Sequence, residues 1–223
     1  MMIKLFRYES DLVHTFQKNH TLNNDSIIIP ELKIRWGNID LVEISNAYSP
    51  FTPDQCEVLS KSSCAKIFMR LKNRRPISKS TLFKGLGLSE STFSKCLGDL
   101  IKANLVIKTN NLYVRNIMFV FPNVIITGYE AKLSDYNKAL YQATINREFV
   151  DYSYMVFPMN IANNILQKHK DLIQSLNIGL IGVENENNIV LIKSCKNKPV
   201  KPYIRLMNLA LSSNINYIEQ TVF

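Results

Sequence analysis

A carboxylate and an ammonium stand two residues apart at the end of the run NVIITGYEAK, whose apolar content is typical of a β-strand. Side chains at positions i and i+2 of a strand project from the same face, so Glu130 and Lys132 are expected to lie side by side. A covered face cannot hold two charges unless each has a partner. The pair therefore indicates charges that compensate one another or charges that take part in chemistry.

Asp40 raises the same question, because it lies inside the apolar run IDLVEI. If Asp40 and Glu130 stand on neighbouring strands, they converge on a divalent cation, with the carbonyl of Ala131 as a further ligand. All-oxygen ligation suits a hard ion, so Mg²⁺ is the expected metal and Mn²⁺ its substitute. Such an ion activates water and neutralises charge on a phosphate, and Lys132 can orient that water or stabilise that charge. These parts suit hydrolysis of a phosphodiester.

The motif G-x-x-D at Gly37 to Asp40 and the motif E-x-K at Glu130 to Lys132, followed by a glutamine-bearing helix, resemble the PD-(D/E)xK nuclease superfamily. That superfamily has the restriction-endonuclease-like fold. The resemblance implies a Mg²⁺-dependent deoxyribonuclease that leaves a 3′-hydroxyl and a 5′-phosphate, with Asp40, Glu130 and Lys132 as its catalytic core. No proline precedes Asp40, where the motif name would put one.

The same resemblance implies roles for further residues. Gln142 matches the helix glutamine and is expected to contact phosphate or to support the metal ligands from behind. Glu9, in the first helix, matches a position where some branches carry an extra acid near the metal, and Glu31 could take its place. Each of these residues also has a non-catalytic interpretation. Glu130 and Lys132 could form a solvent-facing pair on an edge strand, and Glu9 could be a solvated acid near a helix N-terminus.

The other reactive residue types form no constellation. Neither a C-x-x-C pair nor a histidine at zinc-ligand spacing accompanies the cysteines, so we expect no disulfide framework and no zinc site, and a reducing cytoplasm fits best. The histidines have no base or nucleophile partner in the sequence and are expected to be ordinary surface or partly buried imidazoles. These residues are Cys56, Cys64, Cys96 and Cys195, and His14, His20 and His169.

The middle of the chain carries most of the positive charge. The whole sequence has 27 basic and 18 acidic side chains, and the segment from Thr52 to Arg115 alone has 12 basic and 4 acidic ones. This segment predicts a helix that begins after Thr52, a short helix from about Lys79, and a longer helix capped by Ser89. Two β-rich runs around an Asn-Asn turn follow and predict a hairpin.

Three helices and a hairpin in this order resemble the winged helix-turn-helix domains of bacterial transcription regulators. The resemblance implies that the helix after Ser89 enters the major groove of duplex DNA and that basic residues of the loop KNRRP and the wing contact phosphate. Alternatively, the domain mediates protein contacts and KNRRP is only a solvated basic loop. The expected DNA-binding residues are Ser91, Thr92, Ser94, Lys95, Lys108, Arg115, Arg74 and Arg75.

The flanking segments alternate helices and strands, which predicts an α/β protein. We expect a restriction-endonuclease-like mixed central sheet flanked by helices and interrupted by a small winged-helix domain. The predicted boundaries are 1–51 for the first part of the nuclease core, 52–115 for the inserted winged helix, and 116–223 for the second part of the core.

No apolar run has the length of a membrane span or of an export signal, so we expect a cytoplasmic protein without a membrane partner. The expected partner is DNA, and the winged-helix resemblance implies that it is double-stranded. Cutting both strands with one site per chain would favour a homodimer. Two alternatives stay open: a DNA-binding regulator or scaffold with a catalytically silent nuclease-like fold, and a nuclease that acts on RNA or branched junctions.

Overall fold

The computed structural model of the chain describes residues 6–20, 26–34, 37–45, 49–197 and 200–221. The helices are α1 Glu9–Asn19, α2 Pro53–Leu59, α3 Ser62–Arg70, α4 Lys79–Phe83, α5 Glu90–Lys102, α6 Tyr136–Asn146, α7 Met159–Ser175 and α8 Pro202–Thr221. The strands are β1 Ser26–Ile34, β2 Gly37–Ser45, β3 Ile77–Ser78, β4 Val106–Thr109, β5 Leu112–Arg115, β6 Ile125–Ala131, β7 Tyr152–Pro158, β8 Gly179–Val183 and β9 Asn188–Ile192.

The chain divides into two compact units. Unit 1 comprises Met1–Ser45 and Ile125–Val200, and unit 2 comprises Asn46–Val124 and Lys201–Phe223. Unit 1 holds a mixed sheet of six strands in the order β1-β2-β6-β7-β8-β9. The pairs β6–β7 and β7–β8 are parallel, and the pairs β1–β2, β2–β6 and β8–β9 are antiparallel. The expected α/β class with a large mixed sheet flanked by helices is confirmed.

The central strands place apolar side chains on both faces of this sheet. Helices pack against each face and bury these side chains. On one face, Leu12 and Phe16 of α1 pack with Leu41, Tyr129 and Val156. On the other face, α6 and α7 cover Met155, Phe157 and Leu180 through a second apolar cluster. The charged residues of β2 and β6 must therefore lie either between the sheet and a helix or near the end of a strand.

Unit 2 is built from helices α2 to α5, helix α8 and a small sheet in the order β3-β5-β4. Thr52 and Ser89 cap α2 and α5 with their side chains, as the sequence predicts. Asn110 and Asn111 have φ values of 48° and 61° in the tight turn between β4 and β5. Two left-handed residues in succession suit a two-residue hairpin turn, so the predicted Asn-Asn hairpin is confirmed.

Two features of unit 2 differ from the sequence-based expectation. The helix expected after Thr52 is interrupted between α2 and α3, where the Ser60 hydroxyl donates to the carbonyl of Glu57 at 2.7 Å. The last helix, expected in the nuclease core, packs against α2 and α3, with Leu206 and Ala210 in the apolar core of unit 2. The two compact units meet along the chain near residues 45, 125 and 200, whereas the sequence analysis placed the domain boundaries at 51 and 115.

Among the described residues, no helix combines the length and the apolar character needed to cross a membrane.

Candidate active site and nucleic-acid surface

The side chain of Lys132 is surrounded by oxygen atoms. Its Nζ donates to Glu130 Oε1 at 2.9 Å, to the carbonyl oxygen of Ala131 at 2.8 Å and to Asp40 Oδ2 at 3.2 Å. Glu9 Oε2, at the start of α1, lies 3.6 Å from the same atom. The structure thus brings Glu9, Asp40, Glu130 and Lys132 together in unit 1, and we call these four residues the Lys132 cluster.

Asp40 reaches the cluster because the ladder between β2 and β6 stops one residue short of it. The last pair joins Leu41 with Tyr129. Beyond that pair, Asp40 Oδ2 accepts the main-chain N–H of Ala131 at 2.9 Å. A side-chain oxygen therefore takes the place of a ladder carbonyl, which holds the Asp40 carboxylate directly beside Lys132.

Glu130 is the most deeply buried acid of the cluster, with no exposed surface. Burial, reinforced by the nearby negative charge of Asp40, raises the pKa of Glu130 to about 7, although its contacts with Lys132 and Asn146 oppose the shift. Its Oε2 accepts a hydrogen bond from Asn146 Nδ2 at 3.3 Å. Because Asn146 is itself buried in α6, this contact fixes the orientation of the carboxyl group.

Lys132 shows the opposite balance. Burial alone would lower the pKa of its ammonium, but the hydrogen bonds and charges of Glu130 and Asp40 outweigh burial and raise it. The ammonium is therefore retained in a nearly closed environment, with 3% of the residue exposed. Glu9 and Asp40, whose side chains are 52% and 30% exposed, are the parts of the cluster that solvent can reach.

The donor set suits a hard cation in its chemistry, since carboxylate and carbonyl oxygens are the ligands that Mg²⁺ and Mn²⁺ prefer. The oxygen atoms of Asp40, Glu130 and Ala131 that were predicted as ligands all contact one point, and the ammonium of Lys132 occupies that point. In the described part of the chain, no three carboxylate, imidazole or thiol groups are arranged so that they could hold a metal ion. A bound ion would thus require Lys132 Nζ to shift.

Two predicted residues form no hydrogen bond or ion pair with the cluster within the described part of the chain. Gln142 is half-buried on α6, and its buried Oε1 accepts no hydrogen bond from the described residues. Glu31 is exposed with a φ of 50° and, among the described residues, forms no ion pair with Lys132, whereas Glu9 does. Sequence reasoning missed Asn146, one helical turn after Gln142, because both amides lie on the same face of α6 and only packing distinguishes them.

The exposed side chains of unit 2 present a second candidate surface. Helix α5 turns Phe93, Cys96 and Leu97 into the core and leaves its polar side chains outside. The predicted DNA-contacting residues that are exposed are Ser91, Thr92, Ser94, Lys95, Lys108, Arg74 and Arg75. The hydroxyls of Ser91 and Thr92 also contact Ser89 Oγ, at 3.1 Å and 2.8 Å, so they share the capping hydrogen bonds of the helix.

Arg115 does not fit the DNA-binding role that the sequence predicted. Its Nε donates to the carbonyl of Phe68 at 3.1 Å, one amino group donates to Asn73 Oδ1 at 3.3 Å, and the guanidinium lies 4.6 Å from the centre of the Phe68 ring. Burial lowers the pKa of Arg115. The side chain joins β5 to α3 inside unit 2, and its donors are therefore engaged within the protein.

The two units differ sharply in charge. The sequence segments of unit 1 contain 13 basic and 13 acidic side chains, whereas those of unit 2 contain 14 basic and 5 acidic ones. The entire excess of +9 thus belongs to unit 2, which is a stronger segregation than the sequence boundaries predicted. A basic excess of this kind favours polyanionic partners.

Comparison of the chain with protein-family models, with curated proteins and with solved structures found no match.

Proposed function

We propose that the chain is a metal-dependent endonuclease that hydrolyses phosphodiester bonds in duplex DNA. The observation that carries the proposal is the Lys132 cluster, in which a buried ammonium contacts two acids, one of them without exposed surface. Burying such charges costs more free energy than a well-packed apolar core would, so their presence needs a reason beyond stability. Strongly shifted pKa values of this kind concentrate at functional sites.

In this proposal, Asp40, Glu130 and the Ala131 carbonyl hold Mg²⁺, or Mn²⁺ as a substitute. When bound, the ion lowers the pKa of a water molecule and neutralises charge on the phosphate. Lys132 orients the attacking water or stabilises the negative charge that develops on the phosphate oxygens. Asn146 keeps the Glu130 carboxyl group in position, as its hydrogen bond to Oε2 supports.

We further propose that unit 1 has the restriction-endonuclease-like fold and that unit 2 contains a winged helix. The first is supported by a mixed sheet that carries Asp40 on β2 and Glu130 on the adjacent strand β6. The second is supported by the succession of α3, α4 and α5 with the hairpin β4–β5. Of the DNA-binding residues expected from the sequence, we retain all except Arg115.

The first experiment tests cleavage. Purified protein is incubated with supercoiled plasmid, linear duplex, single-stranded DNA and RNA, in Mg²⁺, Mn²⁺ or EDTA. Metal-dependent cutting of the duplex is expected, and Lys132→Ala should reduce the rate by about a hundredfold or more, the scale expected for the loss of one catalytic group. Lys138→Ala is the matched control, because Lys138 is an exposed lysine of unit 1. Unchanged cutting by Lys132→Ala would contradict the assignment of the site.

The products of the same assay report the assembly. Linear plasmid formed without an accumulated nicked intermediate would indicate that two chains act together, and light scattering of the protein on DNA would then give a dimer. Accumulated nicked circles would indicate one chain for each cut. Cleavage of RNA or of branched junctions in preference to the duplex would change the substrate and leave the site unaltered.

A DNA-binding regulator or scaffold is the second candidate, and one observation favours it: the ammonium of Lys132 occupies the point that the predicted metal ligands contact. This candidate predicts no cleavage, but salt-sensitive duplex binding by unit 2. Replacement of Lys95 and Lys108 by glutamine should then lower the slope of log affinity against log salt by about 2, if each lysine contacts one phosphate. Lys193→Gln, in unit 1, is the control.

A further inference from the structure

A cleft of about 470 Å³ lies on the face of the unit 1 sheet that α1 covers. Tyr129 and Tyr154 project from this face, because they pack in one apolar cluster with Leu12 and Phe16 of α1. The end of α1 forms one wall, with Phe16 and His20. None of the four residues of the Lys132 cluster lines the cleft, so the two sites are distinct. The volume of the cleft lies within the range of small-molecule sites.

Aromatic rings make up much of the lining. Tyr129 packs between Phe16, at 5.0 Å between ring centres, and Tyr154, which is stacked on it at 5.8 Å. The Tyr154 ring lies directly over Gly179, where an added Cβ would meet a ring carbon at 2.1 Å. The glycine thus allows this ring to lie flat on the sheet, where it forms part of the cleft floor together with the adjacent Tyr152.

One ionised acid is set into this aromatic lining. Glu43 Oε2 accepts hydrogen bonds from the Tyr129 hydroxyl at 2.7 Å and from His20 Nε2 at 3.1 Å. Burial alone would raise the pKa of Glu43, but these hydrogen bonds outweigh burial and lower it. The second oxygen, Oε1, accepts a long contact of 3.5 Å from the Ser45 hydroxyl, and the Ser26 hydroxyl also stabilises the carboxylate. Because the two oxygens of a carboxylate offer about four acceptor sites, Glu43 keeps acceptor capacity for a ligand.

A second acceptor lines the same cleft. Asn188 Nδ2 donates to the carbonyl of Phe16 at 2.7 Å, and its buried Oδ1 has no donor among the described residues. No lysine or arginine of the described chain lines the cleft. The lining thus offers ring faces, hydrogen-bond acceptors and a carboxylate, and the negative charge of Glu43 disfavours a phosphate.

We propose that this cleft binds a small organic cation, an amine or a guanidinium that carries a short carbon chain. The charged head would pair with Glu43 Oε1, while the rings of Tyr152 and Tyr154 contact the cation and its carbon chain, the chemistry by which aromatic sites recognise ammonium and guanidinium groups. Unit 1 has no net charge, so the basic excess of unit 2 does not reside in the segments that form the cleft. The proposal is independent of nuclease activity.

The test uses two ligands of nearly equal shape and different charge. Butylguanidinium and its neutral analogue butylurea are titrated into the isotopically labelled full-length protein, and amide chemical shifts are followed. We expect saturable shifts at Thr127, Tyr152 and Ile181 with butylguanidinium, and at least about tenfold weaker binding of butylurea, the factor that one ionised hydrogen bond contributes. Equal affinities, or absence of saturable shifts with butylguanidinium, would overturn the proposal.

Variants establish the location. Glu43→Gln retains the shape and an acceptor oxygen, and it should lower the affinity for butylguanidinium at least about tenfold; Glu186→Gln, an exposed acid of the β8–β9 turn, should leave it unchanged. If Glu43→Gln does not fold, Tyr152→Leu provides the second test, with about twofold to fivefold weaker binding expected from the loss of one exposed cation–π contact. Unchanged affinity in the folded variant would overturn the proposal, as would tighter binding of adenosine monophosphate than of butylguanidinium.

Discussion

Replacing Glu130 by glutamine should stabilise the protein at about pH 8 while it removes the proposed activity. Glutamine has the shape of protonated glutamate, and Asn146 can turn its own carbonyl towards the new amide. The pKa of Glu130 is about 7 in the folded protein, against an ordinary value of 4.5. At about 1.4 kcal/mol for each unit of difference, the ionised carboxylate costs the folded state about 3 kcal/mol.

The sign follows from the proton balance. Below pH 4.5, Glu130 is protonated in the folded and the unfolded protein, so wild type and Glu130→Gln should have similar stabilities. As the pH rises from 4.5 to about 7, only the unfolded chain releases the proton, and wild type loses stability relative to the variant. Above about pH 7 both states are ionised, and the difference stays constant.

Urea unfolding in EDTA, at several pH values between about 4.5 and 8, measures this difference. The signals of β6 residues should be followed, so that the readout reports unit 1, and Glu148→Gln serves as the control because Glu148 is an exposed acid of the same unit. A Glu130→Gln protein that is less stable than wild type at about pH 8 would refute the reasoning. It would mean that the ion pair with Lys132 outweighs the cost of burying the carboxylate.

Three further predictions concern single contacts. Arg115→Gln should lower the unfolding free energy of unit 2 by about 2 kcal/mol in urea unfolding, whereas Lys108→Gln should not, because only the first has internal partners. Asn111→Val should cost about 1–2 kcal/mol in the same measurement because of its φ of 61°, and Asn111→Gly close to nothing. Gly179→Ala should destabilise unit 1 by about 1–3 kcal/mol, and much less in a Tyr154→Ala background, which a double-mutant cycle measures.

Local patterns in the sequence predicted most of the elements, because their causes are local. The caps at Thr52 and Ser89 and the Asn110–Asn111 turn act over a few residues, so their residue types suffice to recognise them. The alternation along β2 and β6 likewise put Glu130 and Lys132 on one face. The proximity of Asp40 to them follows from the pairing of those two strands, which the motif spacing anticipated.

The failures share a physical cause, since each depends on contacts between residues far apart in the chain. Arg115 is a basic residue at the position expected for a wing. Its guanidinium donates to Phe68 and Asn73 inside unit 2, and these two residues are far from it in the sequence. Asn146 was passed over for Gln142 because helical spacing alone gives both the same face. The assignment of α8 to unit 2 is decided by apolar contacts of Leu206, which no local signal in the helix reveals.

The interruption of the sheet by unit 2 has a consequence for folding during synthesis. Strand β2 ends at Ser45, but its partner β6 begins at Ile125. At ordinary rates of translation, β6 is therefore synthesised several seconds after the hairpin β1–β2. During that interval, apolar residues such as Ile39 and Leu41 of β2 have no sheet to join. The folding of unit 2 is also delayed, because α8 belongs to this unit and is synthesised after all its other elements. Neither unit can be complete until residues near 200 have been made, so both tertiary structures form only late in synthesis.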